Sequence, residues 1–381
     1  MPVNTTIDLS RSVKQPELNA TFSTTGTSYR CLNWLATTPE FRSELTSIRS
    51  SRSAYRSPFF SPEFITAVDS IAGDVELGLV EQNGQVLAWL PFQRRSKIGR
   101  PVGGGINDAH GVISAPDVEF SIYELLKACG LQAYPFHAAP PFESVHRQFE
   151  LGRSNSFLAD LTVDPSGYEA YLRKTSTTID RQGQKTRRLV RELGALHFEF
   201  DCRDELMMHK LIDLKRSQYQ ETHTFDIFSV SWIRQLLFHL WHSQASTRGI
   251  LSVLYAGTAP LALHFGIIEG NWLHYWFPVY DPAFAHGSPG TQLFLDVARE
   301  ATERGYVAID MGYGEQLYKR KLTNVVTEMS WGMISPEAWR RSLHKTQVNW
   351  SRHMKGTWLR NNLKPLARRI MPNWGGECYK Q

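Results

Sequence analysis

Five consecutive residues, Ser288-Pro289-Gly290-Thr291-Gln292, lead into a run where Leu293, Phe294, Val297, Ala298 and Ala301 recur at helical spacing. The first N–H groups of a helix have no partner inside it and sit at the positive end of its dipole. Gly290 brings no side chain, so Gly290, Thr291 and Gln292 can turn N–H groups toward a phosphate or pyrophosphate. Ser288 suits the N-cap and Pro289 the first helical position, so the same pattern also reads as an ordinary well-capped start. Upstream, Leu261, Leu263, Phe265 and Ile267 point to one face of a strand and His264 to the other, while His274 alternates with Trp272 and Trp276. An imidazole near its ordinary pKa can take a proton from an amine or hydroxyl. A lone strand histidine is more often structural. His264 is the first choice of base, with Asp310 and Glu315 as fallbacks. Trp272, Tyr275, Trp276 and Tyr280 either fill a core or stack on a sugar ring. Asp108 and His110 lie in the glycine-rich segment 99–111, which lacks the Lys-Ser/Thr ending of a phosphate loop. They read either as hydroxyl-binding groups at a cleft or as turn residues.

The elements that must position these residues follow from local signals. Strands are expected at 250–255 and 261–268 around a turn at 256–258, and at 272–280 after Gly270-Asn271. After the helix, which Gly305 ends, come a buried strand at 306–311, a short helix and a strand at 327–334. Earlier in the chain, 28–72 reads as helical, with Ser61-Pro62-Glu63 as a helix start. Asn83-Gly84 joins a hairpin of 75–81 and 85–93. A helix at 120–129, a strand at 157–163, a long basic helix at 166–193 and helices at 204–220 and 229–245 complete the reading.

This order, with the wording VYDPAFAHGSPGTQLF and GYVAIDMGYGEQLYKRKL, resembles the GNAT acetyltransferase core. Within it, the chain is similar to the CelD/BcsL-like acetyltransferases associated with cellulose and exopolysaccharide biosynthesis. That branch resembles the Fem-type aminoacyl transferases, which have two GNAT-like halves. The specific wording covers roughly residues 249–334. It departs from the commonest GNAT pattern of two glycines around a basic or polar position, because a proline precedes Gly290. The resemblance implies an α+β protein of two GNAT-like halves, each a mixed, mostly antiparallel sheet flanked by helices. Its segments would be 28–165, a basic linking helix and strand at 166–200, and a half at 201–334 carrying the intact coenzyme site. Acetyl-CoA would be the co-substrate, held by Ser288, Gly290, Thr291, Gln292 and Lys319, with no metal. Tyr318, on the short helix, would protonate the departing thiolate, or else serve as a packing residue. Asp108, His110, His274, Tyr275 and Glu315 would bind the acceptor, an amine or hydroxyl of a sugar or polysaccharide precursor. A Fem-type aminoacyl transferase is the alternative enzyme. A non-catalytic member of a polysaccharide-synthase assembly is the alternative of another class.

Composition bounds these readings. A chain of 381 residues with 42% hydrophobic and 21% charged residues has room for two domains and an ample core. The four cysteines are isolated, which argues against a zinc cluster or disulfide framework and fits a reducing, cytoplasmic setting. Residues 1–27 are polar, without the apolar run of a signal peptide, and are expected to be disordered. The uncharged stretch 250–268 is long enough to suggest a membrane span, but Gly257, Thr258 and Pro260 interrupt it as a turn. Residues 335–381 carry ten Lys and Arg against two Glu, interleaved with Trp339, Trp350 and Trp358, so the remainder of this +5 chain is slightly acidic. Such a basic helical tail either touches an anionic membrane surface peripherally or packs on the domain with a solvated face. No sequence motif points to specific nucleic-acid binding.

Overall fold

The computed structural model describes residues 22–24, 26–140, 144–176, 179 and 181–353. Residues 1–21 and the tail beyond 353 lie outside the described residues. The chain begins with β1 (Phe22–Thr24), β2 (Thr27–Asn33), α1 (Pro39–Ser50), α2 (Pro62–Ala72), β3 (Val75–Gln82), β4 (Gln85–Arg95), β5 (Ile98–Arg100) and β6 (Ile113–Ser114). Next come α3 (Ile122–Ala128), β7 (Tyr134–Ala139), α4 (Ser144–Arg147), β8 (Glu150–Asp160), α5 (Tyr168–Thr175) and α6 (Gln182–Leu193). The remainder is β9 (Leu196–Glu199), α7 (Glu205–Glu221), α8 (Ser231–His242), β10 (Thr247–Ala256), β11 (Ala259–Glu269) and β12 (Trp272–Tyr280), then α9 (Pro289–Glu303), β13 (Ala308–Tyr313), α10 (Leu317–Leu322), β14 (Val325–Ile334) and α11 (Ala338–His353).

Local chemistry explains most boundaries. Ser61 Oγ accepts from the Phe64 N–H at 3.0 Å, which starts α2 ahead of Pro62. Asn83 and Gly84 both take positive φ and close the β3–β4 hairpin. Two expectations are corrected. Residues 27–33 form a strand rather than the start of a helix, because β2 pairs with β3 along its whole length and turns Tyr29 into the core. The single helix expected over 166–193 is interrupted: α5 ends at Thr175 because the backbone at Ser176 is extended, and α6 begins at Gln182.

The strands make two antiparallel-dominated sheets flanked by helices. Six strands follow the order β1-β2-β3-β4-β5, with β6 on β4, and eight follow β7-β14-β8-β13-β12-β11-β10-β9. β7 and β8 precede residue 165 yet belong to the second sheet, where β8 lies between β13 and β14. A boundary at residue 165 therefore passes through one sheet.

Both faces of that sheet are covered. Leu251 and Val253 of β10 pack in a cluster with Leu236 and Leu240 of α8, while Ile250 and Leu254 face Leu293 and Phe294 of α9. The first cluster also holds Trp34, Phe59, Phe64 and Trp89, so the two sheets share one core. Arg49 ties them further, donating to Glu269 at 2.6 Å and to the Tyr55 carbonyl at 2.8 Å. The 250–268 stretch is the β10–β11 hairpin, and among the described residues no helix is long and apolar enough to cross a membrane.

Candidate active site

β12 and β13 run parallel and pair only at Trp272↔Ala308, Leu273↔Ile309 and His274↔Asp310. Beyond that point they separate, and a cavity of about 880 Å³ opens between them. Tyr275 to Tyr280 form one wall and Met311 and Tyr313 another. The start of α9 contributes Ser288, Gly290 and Thr291, α10 contributes Tyr318 and Lys319, and α7 contributes Lys215, Gln218 and Tyr219. The first sheet's glycine-rich loop closes one side with Gly105, Ile106 and Asp108. That loop is fixed there by the Trp276 indole, which donates to the Ile106 carbonyl at 3.0 Å.

The start of α9 differs from a simple cap. Ser288 adopts φ 49° and ψ 53°, a left-handed conformation that costs a side-chain-bearing residue about 1–2 kcal/mol. Its hydroxyl caps nothing and instead accepts from Lys185 Nζ at 2.8 Å. Gln182 Nε2 of the same helix, α6, donates to the Gly287 carbonyl at 3.2 Å. The basic helix thus holds the turn before α9 and places an ammonium beside it. Gly290 faces open space, since a Cβ there would meet only Tyr280 Cδ1, at 3.5 Å.

A charge cluster sits at the apex where the strands part. His274 is 0% exposed, with Nδ1 3.3 Å from Asp310 Oδ2 and Nε2 3.4 Å from Asp108 Oδ2. Both are ion-pair separations without well-aligned hydrogen bonds. Burial alone lowers the imidazole pKa, but the two carboxylates outweigh it and raise the value to about 9. Burial works against the Asp310 carboxylate too, yet His274 and the Gly312 N–H, at 2.8 Å, hold its pKa below the ordinary range. Gly312 takes φ 69°, and a Cβ there would stand 2.2 Å from Asp108 Oδ2, so only glycine lets the first sheet's carboxylate reach the cluster. Lys319 donates to the carbonyls of Gly312 and Tyr313 at 3.2 and 3.0 Å, and burial lowers its pKa.

The His274 shift predicts a pH dependence. A histidine raised from an unfolded value of about 6.5 to about 9 contributes stability that is fully present below pH 6.5. That stability is lost as pH rises through about 9. Its size is on the order of 3 kcal/mol. Urea denaturation between pH 6 and 10 should show this decline. His274→Gln should be less stable at neutral pH and lose the slope across the same window. An unchanged slope in the variant would assign the titration to another group.

Of the residues expected at the site, Asp108, Tyr275, Ser288, Gly290, Thr291, Tyr318 and Lys319 all line the cavity. His274 does not line it, but its ion-pair partner Asp108 does. His264 does not reach it. Its alternation on β11 is as expected, but the face it takes is covered by α9, and the ring stacks on Tyr275 with centroids 3.8 Å apart. Burial, with His274 next, pushes its pKa well below the ordinary value. His110 is also buried, its Nε2 accepting from the His137 N–H at 2.9 Å. Gln292 turns away to Thr186 and Asp296, and Glu315 pairs with Arg320 at 2.5 Å on the surface. The residue that sequence reasoning missed is Lys215. It sits among ordinary polar positions of α7, and its position in the cavity depends on β12, far along the chain.

Residues 178–320 match the family model described as the acetyltransferase (GNAT) domain. No curated protein matches the chain. Among solved structures, the C-terminal domain of a protein described as a lysylphosphatidylglycerol synthetase from Agrobacterium fabrum is similar in fold. It has a TM-score of 0.51 at 15% identity, over 81% of this chain and 96% of that one. A tandem GNAT protein from the clavulanic acid biosynthesis pathway scores 0.48 at 8% identity, over 81% of this chain and 98% of its own. FemX scores 0.47 at 11%, over 76% and 96%. The stretch that builds most of the cavity, from α6 through α10, thus falls almost wholly within the residues that match the GNAT model.

Proposed function

We propose that this protein is an acyltransferase that moves an acetyl group from acetyl-CoA to an amine or hydroxyl of a sugar or polysaccharide precursor. The observation that carries the reading is the cavity where β12 and β13 part, with the start of α9 on one side and Tyr318 on another. The residues present fit the coenzyme. Gly290 leaves the helix start open to a pyrophosphate, with the Lys185 ammonium beside it at Ser288. The β12 edge beyond His274 is not taken up by β13, so it suits an arm bearing amides. The Tyr275 hydroxyl is buried on the cavity wall and has no hydrogen-bond partner among the described residues.

Acetyl-CoA supplies the activated thioester. Asp108 is the carboxylate on the wall and would orient the acceptor's amine or hydroxyl, with buried His274 behind it holding Asp108 in place. Tyr318 would donate to the sulfur as it departs. Burial first, then the Asp108 charge, pushes its hydroxyl up to about 12, so it stays protonated throughout the working range. The aromatic wall of Trp276 and Tyr280 suits a sugar ring.

Calorimetry with acetyl-CoA, then mass spectrometry of saccharides incubated with enzyme and acetyl-CoA, tests the proposal. Saturable binding and an acetylated saccharide are expected. Binding of an aminoacyl-tRNA with no affinity for acetyl-CoA would overturn it in favour of aminoacyl transfer. Affinity for neither donor would favour a non-catalytic role.

A further inference from the structure

Lys215 is a cation in an unusual position. It is 8% exposed, lines the cavity from α7, and stands 5.0 Å from the Tyr219 ring centroid. Its ammonium donates to Gln218 Oε1 at 2.8 Å and only distantly, at 3.4 Å, to the Pro278 carbonyl. No carboxylate of the described residues lies within ion-pair distance of it. The cavity's other charged side chains are already engaged: Lys319 by two carbonyls, Asp108 by His274. An unpaired ammonium removed from water costs several kcal/mol, and folds normally pair or expel such a group. Methionine fills the same space without that cost. The lysine borders a space large enough for a ligand.

We infer that Lys215 and Gln218 form an anion subsite for the acceptor, so the acceptor carries a carboxylate or phosphate monoester besides the group that is acylated. The inference rests on the acyl-transfer reading for assigning the anion to an acceptor. Lys215 stands on α7, whereas the open helix start suited to the donor's phosphates belongs to α9. Gln218 can turn its amide N–H toward the same anion, and Tyr219 and Trp276 provide flat walls for a ring. Burial holds the Lys215 pKa down to about 8, which an arriving anion would reverse.

The test uses the full chain and Lys215→Met. The probes are glucose, glucose 6-phosphate and glucuronate, with acetyl-CoA titrated separately. Wild type is expected to bind at least one anionic sugar and not glucose. The Lys215 ammonium midpoint, followed by NMR of 13C-labelled lysine, should rise on addition of that sugar. Lys215→Met should melt at or above the wild-type temperature, lose about 10- to 100-fold in affinity for the anionic sugar, and keep wild-type affinity for acetyl-CoA. Comparison of the two anionic sugars separates phosphate from carboxylate. Equal binding of glucose and both anionic sugars, or unchanged anionic-sugar affinity in a folded Lys215→Met, overturns the inference. Loss of acetyl-CoA affinity in the variant also overturns it, since the lysine would then serve the donor. Should wild type bind the anionic sugar through Lys215 but not acetyl-CoA, the acyl-transfer reading fails while the anion subsite stands.

Discussion

Gly290→Glu should give a folded protein with the wild-type melting temperature and no measurable affinity for acetyl-CoA. The fold has room for the new side chain, because its Cβ meets only Tyr280 Cδ1, at ordinary van der Waals distance. A carboxylate in the first turn of a helix is favourable, by about 0.3–1 kcal/mol, so α9 should not lose stability. What the glutamate removes is the open approach to the helix start, and its charge repels phosphate where the dipole would otherwise attract it. Gly290→Ala should fall between, with weakened binding. Calorimetry and thermal melting on the same samples decide the matter. Wild-type acetyl-CoA affinity in Gly290→Glu would mean that the phosphates do not lie at α9.

Tyr318→Phe should lower kcat by about 10²–10⁴-fold while leaving acetyl-CoA affinity near wild type. The ring is 40% exposed, so loss of the hydroxyl should not unfold α10. With its hydroxyl at about 12 and a thiol ordinarily near 8.5, complete proton transfer from Tyr318 to the sulfur is uphill on its own. The hydroxyl therefore stabilises the departing sulfur by donating a hydrogen bond, and the proton lost by the acceptor replaces the one that Tyr318 gives to the sulfur, so that tyrosine and free thiol both end protonated. Tyr318 itself should add no alkaline fall to the pH–rate profile below pH 10, and a fall near 9 that disappears in His274→Gln would belong to His274. Unchanged kcat in the variant, with chemistry shown to be rate-limiting, would take Tyr318 out of the mechanism.

The parts of this molecule legible in the sequence are those fixed by neighbours in the chain. Asn83-Gly84 and Ser61-Pro62 act within a few residues, and both mark their elements correctly. Trp272–Tyr280 is a strand from end to end as its residues suggest. The helix that starts at the Gly290 segment follows from local signals, whereas the turn before it is held by Lys185 and Gln182 from about a hundred residues upstream. Alternation correctly set His264 apart from Leu263 and Phe265, but alternation names a face without saying what covers it. Here α9 covers it. Residues 27–33 could begin a helix as well as a strand, and only pairing with β3, more than forty residues later, decides for the strand. Lys215 is ordinary on its helix and becomes unusual only beside Pro278. Asp108 reads from its segment as a turn or cleft residue, but its pairing with His274 depends on two sheets meeting.

The placement of β8 has a consequence for how the chain can be made. Its final neighbours are β13 and β14, and β14 begins at Val325, about 165 residues after β8 ends at Asp160. At a ribosomal rate of roughly 5–20 residues per second, β8 waits on the order of ten to thirty seconds with both edges unpaired. During that interval the first sheet can assemble from residues already synthesised, while β7 and β8 offer open hydrogen-bonding edges to any other nascent chain. Completion of the second sheet is therefore a late, long-range closure that must compete with association between chains.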